Sequence, residues 1–345
     1  MSTQMWNEIL EQPAVLESCG RVNEKVLREI VTEVSRRNIQ SVIIAARGTS
    51  DHAAVYGKYV IEYELGIPVS LAAPSIFTIY KKKLKLPGTL VIGISQSGKA
   101  ADVLEVLKNA GESGALTVSI TNDPNSPLAT GAMYHLYCNA GLEKSVAATK
   151  TFTAEIFLIA QLVAEWGQNS LFKKELGQLP QNLFKGLDTD AIKMKMERYR
   201  FIQECFVLAR GINYAVALES ALKIQESTYV RAKAYATSDF YHGPFAMIEK
   251  DMPVIVYAPD GPSFVDVMQM IKRLKENLVD LIVVSNVNEA IELGNCNFKI
   301  PQTSNDLLSP FYNAVIAQML ACELAVIKGL NPDQPRGLKK VTITL

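Results

Sequence analysis

Two stretches of this sequence carry residue types that can do chemistry together. In the second half, ARGINYAVALESALKIQESTYVRAKAYATSDFYHGP places Glu219, Lys223 and Glu226 at i, i+4 and i+7. That spacing puts all three on one face of a helix, which Asn213 can cap. Moving a proton between adjacent sugar carbons needs a carboxylate base. Opening a sugar ring needs a group that titrates near neutrality. Glu226 and His242 have those properties and read as a proton-transfer pair. A lysine beside the carboxylates holds their pKa down or polarises a carbonyl oxygen. A plainer reading stays open: Glu219 and Lys223 as an exposed helix pair worth about 0.2–0.5 kcal/mol, and His242 as a turn residue before Gly243-Pro244.

The other stretch is LVIGISQSGKAADVLEVL, where a buried strand ends at Ile94 and turns through Ser95-Gln96-Ser97-Gly98 into a helix. A helix N-terminus offers unpaired N–H groups and partial positive charge, and the flanking hydroxyls add donors. Gly98 lets the backbone approach a ligand closely. A second hydroxyl-rich turn, Gly48-Thr49-Ser50, ends a neighbouring strand at the same carboxyl edge, where open α/β sheets bind ligands. Helix capping alone accounts for either turn. Together they suggest a cradle for one phosphate group. Neither a P-loop nor a G-x-G-x-x-G fingerprint is present, which disfavours a nucleotide.

The elements that must position these residues alternate between short apolar runs and helical patterns. Ser41–Ala46, Pro68–Ala73, Leu90–Ile94, Leu116–Thr121 and Met133–Cys138 read as buried strands, with helices at His52–Leu65, Ala100–Ala110 and Ala147–Trp166. Strands at Cys205–Ala209, Val254–Ala258, Leu281–Ser285 and Phe298–Pro301 repeat the scheme, with helices near Tyr214–Val230, Val265–Asn277 and Pro310–Lys328. Such alternation predicts βαβ units and parallel sheets covered on both faces. AARG at 45–48 matches LARG at 208–211, ISQSG at 94–98 matches YAPDG at 257–261, and ITN at 120–122 matches VSN at 284–286. The common offset of about 163 residues points to an internal duplication. The expected division is an N-terminal helical arm (1–30), a cradle domain (31–170), a linker (171–195), a second domain with the acid–base helix (196–330) and a tail (331–345).

Composition sets the outer limits. With 345 residues the chain suits two domains, and 48% apolar content excludes disorder. Lys+Arg and Asp+Glu are 35 each, so no global field favours nucleic acid or an anionic membrane. Five scattered cysteines without a Cys-x-x-Cys pair, and three histidines, give no metal-ligand spacing. The N-terminus lacks signal-peptide character, and Thr151–Trp166, taken as the longest apolar helix candidate, is broken by Glu155 and Gln161. A cytoplasmic location is the expectation.

The ordered motifs AxRGTS, ISQSGxxAD, VAxTKxFT, ALExALKxxExxY…HGP and DQPRGLKKVT resemble the sugar isomerase (SIS) domain family. Within it they resemble the isomerase half of the glucosamine-6-phosphate synthases (glutamine–fructose-6-phosphate aminotransferases), over nearly the whole chain. The resemblance implies two tandem flavodoxin-like subdomains and a homodimer with active sites near the subunit interface; no cofactor is expected, because proton transfer at a carbon alpha to a carbonyl or imine can proceed by general acid–base catalysis. Thr49, Ser50, Ser95, Gln96 and Ser97 match the phosphate-binding positions, and Gly48, Val146 and Ala148 match positions lining the sugar. Glu226 matches the residue that shuttles a proton between C1 and C2, with Glu219 and Lys223 as supporting charges. His242 matches the ring-opening histidine, which the neighbouring subunit supplies. Lys340 matches the lysine that engages the open-chain ketose.

Three departures narrow the expected reaction. Lys99-Ala100 follows Gly98 where the family has a threonine two residues on, and Ala148 replaces a common serine. Met1-Ser2 opens the chain with no glutaminase domain or N-terminal cysteine before the isomerase half, and Cys19 lies within the arm. The expectation is therefore an isomerase/deaminase converting a glucosamine-6-phosphate-like substrate to fructose 6-phosphate and ammonia. The alternatives are a deglycase of phosphorylated fructosamines and, from another class, a non-catalytic phosphosugar sensor.

Overall fold

The computed structural model describes residues 3–303 and 305–340. They form two compact units, each containing distant pieces of chain. The leading unit comprises Glu11–Glu143, Ala148–Pro180 and the end of the tail from Lys339. Of the described residues, the trailing unit comprises 3–10, Lys144–Ala147 and those from Gln181 to Leu338.

The chain opens with α1 (Gln4–Leu10) and α2 (Gln12–Arg37). In the leading unit follow β1 (Ser41–Ala45), α3 (Thr49–Leu65), β2 (Val69–Leu71), α4 (Ser75–Thr78), β3 (Thr89–Ile94) and α5 (Ala101–Glu112). Then come β4 (Leu116–Thr121), α6 (Pro127–Gly131), β5 (Tyr134–Tyr137), α7 (Lys150–Trp166) and α8 (Ser170–Asn182). The strands are all parallel, in the order β2-β1-β3-β4-β5. Every residue of β3 and β4 is buried, the mark of parallel strands with helices over both faces. Val91, Val103, Val106, Leu107 and Leu128 build the core between β3, α5 and α6.

The trailing unit holds α9 (Thr189–Met196), β6 (Glu204–Ala209), α10 (Tyr214–Thr228), β7 (Arg231–Ala236), α11 (Thr237–Tyr241) and β8 (Pro253–Tyr257). It continues with α12 (Phe264–Glu276), β9 (Asp280–Ser285), α13 (Asn288–Leu293), β10 (Cys296–Lys299) and α14 (Ser309–Ile327). Its parallel order β7-β6-β8-β9-β10 reproduces that of the leading unit strand for strand. Both are the flavodoxin-like 2-1-3-4-5 arrangement, whose switch point lies between the first and third strands. The ARG and SQSG/APDG turns flank that point in each unit.

Four expectations change on contact with the structure. Arg231–Ala236 is a strand that the apolar-run reading passed over, because as an edge strand it alternates exposed Arg231 and Lys233 with buried Ala232. The stretch 171–195 is largely helical: Phe172, Leu176 and Leu179 give α8 a buried stripe, and the Asp188 side chain caps α9 by accepting from Ala191 N–H at 2.9 Å. The longest strongly apolar helix is α14, buried at every position from Ser309 to Cys322. Asp306–Ile327 is long and apolar enough to cross a membrane, but 83% of its most apolar window is buried inside the protein, as in a core helix. Residues 1–30 form no separate arm: α1 belongs to the trailing unit and α2 to the leading one.

Candidate active site

In the leading unit, two helix N-termini meet at the carboxyl edge between β1 and β3. Gly48, at φ 56°, starts α3, and Thr49 and Ser50 form its first turn. Ser50 is buried and donates its hydroxyl to Glu155 Oε1 on α7 at 2.9 Å, so its side chain is anchored inward. Ser95 is buried, Gln96 and Ser97 are half-buried, and the Ser97 hydroxyl accepts the Lys99 N–H at 3.3 Å. The Gln96 carbonyl takes the Asn122 N–H at 2.9 Å, tying the turn to the end of β4. Gly98 is required twice over. Its φ is +63°, and a Cβ there would sit 2.0 Å from the Ser126 hydroxyl that caps α6.

An ion pair clips the two turns of this cradle together. Arg47, the residue before Gly48, reaches from the first turn to Asp102 in the first turn of α5, with Nε 2.5 Å from Oδ2. Asp102 is buried and also accepts the Val103 N–H at 2.9 Å, whereas Arg47 is half exposed.

Lys340 also lies with the leading unit, its Nζ 2.7 Å from Glu143 Oε2. Glu143 is fully buried. It accepts the Thr149 N–H at 2.9 Å and the Thr151 hydroxyl at 2.8 Å. Burial alone would raise its carboxyl, but the Lys340 ammonium and the threonine donors outweigh that and hold it below the usual carboxylate range. Ala148 is half-buried.

The trailing unit carries the acid–base array. Lys223 lies with its ammonium between two carboxylates of α10, 2.5 Å from Glu226 Oε2 and 3.4 Å from Glu219 Oε1. The reading of an ordinary exposed helix pair does not hold: Glu219 is 0% and Lys223 1% exposed, and Glu226 at 23% is the member of the three open to solvent. A carboxylate held by a buried ammonium, with one edge open, can take a proton from a bound carbon acid and return it. Asn213 precedes α10 without capping it through its side chain. Its amide instead bonds Ser309 Oγ at 2.8 Å and accepts from Asn313 Nδ2 at 2.7 Å, fastening α10 to α14.

His242 ends α11 on the surface, its N–H bonded to the Asp239 carbonyl at 3.0 Å. No hydrogen bond joins it to Glu226 among the described residues. Val146 is half-buried in the 144–147 segment of the trailing unit, with its N–H on the Asp333 carbonyl at 3.1 Å.

Sequence reasoning missed Arg47, Asp102, Glu143 and Glu155. Each is a lone charge whose partner is distant in sequence, so local spacing gives no sign of it. The Arg47 signal was nonetheless present, since ARG recurs in the duplicate at 209–211. Among the described residues no cluster of His, Cys, Asp and Glu could hold a metal ion.

Comparison with known proteins agrees with this architecture. The glutamine–fructose-6-phosphate aminotransferase [isomerizing] of Methanothermobacter thermautotrophicus is 33% identical over 339 residues, 97% of this chain and 56% of that protein. The chain thus spans little more than half the length of such relatives. Among solved structures, a putative phosphosugar isomerase from Silicibacter pomeroyi matches with a TM-score of 0.87 and 28% identity, covering 96% of this chain and 100% of that one. A glucosamine-6-phosphate deaminase from Thermotoga maritima shares the fold, with a TM-score of 0.77 and 22% identity over 99% and 100% of the two chains. The SIS domain model matches twice, at residues 37–165 and 203–328, once on each sheet. The chain belongs to the SIS domain family.

Proposed function

We propose that this protein is a phosphosugar isomerase that acts as an amino-sugar-6-phosphate deaminase, taking a glucosamine-6-phosphate-like substrate to fructose 6-phosphate and ammonia. The observation that carries the reading is the α10 array: a buried Lys223 between Glu219 and Glu226, with only Glu226 open to solvent. That is the arrangement a carbon-acid proton shuttle needs.

In this mechanism the Thr49, Ser50, Ser95, Gln96 and Ser97 turns hold the phosphate through main-chain N–H groups and hydroxyls. His242 assists ring opening. Its exposure supports supply from the partner of a homodimer. Glu226 then removes the C2 proton of the open-chain 2-amino aldehyde, giving an enolamine, and delivers it to C1. Water adds to the resulting C2 imine, and the C–N bond breaks to leave the ketone and ammonia. Lys223, 2.5 Å from Glu226 Oε2, orients the carboxylate that carries the proton from C2 to C1. Lys340 would engage the open-chain sugar once it leaves Glu143.

Ala148 supports a second reading. Lacking a hydroxyl, it leaves room and no polar demand where the resemblance expects a serine, which suits the larger substituent of a phosphorylated fructosamine. The same proton shuttle would serve that deglycase. Purified protein incubated with glucosamine 6-phosphate should release ammonia and fructose 6-phosphate in equal amounts. Release of an amino acid from fructosamine 6-phosphates, with glucosamine 6-phosphate inert, would select the deglycase. No turnover of either, with thermal stabilisation by sugar phosphates unchanged in Glu226→Gln, would select a sensor.

A further inference from the structure

The N-terminal helix carries a carboxylate that the proposed mechanism does not use. Glu8 on α1 is 2% exposed and forms no ion pair among the described residues. Its oxygens instead collect donors from one short segment: the Lys144 N–H, the Ser145 N–H (3.3 Å to Oε2) and the Ser145 hydroxyl. A buried carboxylate without a countercharge is costly unless donors satisfy it. These donors do so only while residues 144–146 keep one backbone path. Ser145 and Ala147 are fully buried along that path, and Val146 between them is half-buried. The bonds pin the inward-facing residues and leave Val146 presented.

Asp333 binds the same parts from the other end of the chain. Its carboxylate accepts the Gln4 and Met5 N–H groups at 2.9 and 2.8 Å, and its carbonyl accepts the Val146 N–H at 3.1 Å. The start of α1, the 144–146 segment and the tail that carries Lys340 therefore share one set of hydrogen bonds.

We propose that Glu8 is a positioning residue that fixes the Lys144–Val146 segment in its sugar-facing shape, and that Asp333 couples the N-terminal helix and the C-terminal tail to that segment. The assignment rests on the sugar-phosphate reading, because it gives Val146 a place against the sugar. Glutamine at position 8 keeps the volume but turns an amide N–H₂ towards the Lys144 and Ser145 donors.

The test is Glu8→Gln in the full chain, with Ser145→Ala as a milder variant that keeps the carboxylate. Amide hydrogen exchange at Lys144, Ser145 and Val146 should accelerate about tenfold or more in Glu8→Gln and a few-fold in Ser145→Ala, with α10 amides unchanged. KM for the sugar phosphate should rise about tenfold, by more than kcat falls, because the lost bonds orient the sugar and not the base. Affinity for inorganic phosphate, a probe of the leading unit's cradle, should not move. Wild-type exchange rates and KM in both variants would overturn the proposal, as would a parallel loss of phosphate affinity. Failure of the wild type to turn over any sugar phosphate would defeat the functional reading instead, and the exchange measurement would still decide the role of Glu8.

Discussion

After β1 the leading unit carries Arg47, Gly48, Thr49 and Ser50; at the matching place after β6 the trailing unit carries Arg210, Gly211, Ile212 and Asn213. After the third strand of each sheet, Ser95-Gln96-Ser97-Gly98 in one corresponds to Ala258-Pro259-Asp260-Gly261 in the other. The mechanical parts are retained. Arg210 reaches Asp266 in the first turn of α12 (Nε to Oδ2, 3.4 Å), as Arg47 reaches Asp102 in the first turn of α5, and both glycines have positive φ. The lining is not retained. A Cβ on Gly261 would lie 2.9 Å from the Asp306 carboxyl carbon, and burial raises that carboxyl, with the Asp260 charge adding to the effect. An acid-lined turn repels phosphate. Duplication therefore kept the clip in both copies and the hydroxyl-rich turns in one, while the other copy carries the Glu219–Lys223–Glu226 helix on which the proposed proton transfer depends.

This division of labour can be attacked at several points. The largest effect should come from Glu226→Gln, which removes the base on the trailing unit. It should cut kcat by about 10²–10⁴-fold while inorganic phosphate binding, read by calorimetry, stays at wild-type affinity. Loss of phosphate affinity in that variant would mean that the two roles are not separable. Next, Gly98→Ala forces a Cβ onto Ser126 at positive φ. It should cost about 2–3 kcal/mol in chemical denaturation and abolish phosphate binding.

The clip gives a paired test. Asp102→Asn weakens a buried, charge-assisted contact and should cost about 1–3 kcal/mol and raise KM. Asp266→Asn weakens a longer pair whose two side chains are both around 40% exposed, and should cost under about 1 kcal/mol with KM unchanged. Equal effects on KM would show that both edges touch substrate.

The smallest effect is on pH. The Glu143 carboxyl is held below its ordinary value near 4.5, so its stabilising contribution is complete above that value and is lost as pH falls through the lower, folded one. Lys340→Met should lower Tm near neutrality, where the paired carboxylate contributes in full, and the difference from wild type should shrink as pH falls below about 4.5, flattening the acid limb.

Much of this was legible because chemistry and periodicity coincided. On α10 the i, i+4, i+7 spacing of Glu219, Lys223 and Glu226 survives intact in three dimensions, and SQSG sits at the end of a strand buried throughout. What stayed hidden was set by distance along the chain. Asp102 finds Arg47 across 55 residues, Glu8 finds Ser145 across 137, and Glu143 finds Lys340 across 197, and no window of sequence contains both partners. The edge strand β7 was hidden for another reason. RAKAYA obeys the alternation of a strand with only one covered side, whereas continuous apolar runs mark strands covered on both.

The reach of the Glu143–Lys340 pair has a consequence for biosynthesis. Chains fold from the N-terminus as they emerge, yet the cation that balances Glu143 follows it by 197 residues. Until that residue emerges, this buried carboxylate lacks its countercharge. The leading unit therefore completes this ion pair only after the strands and helices of the trailing unit have been synthesised.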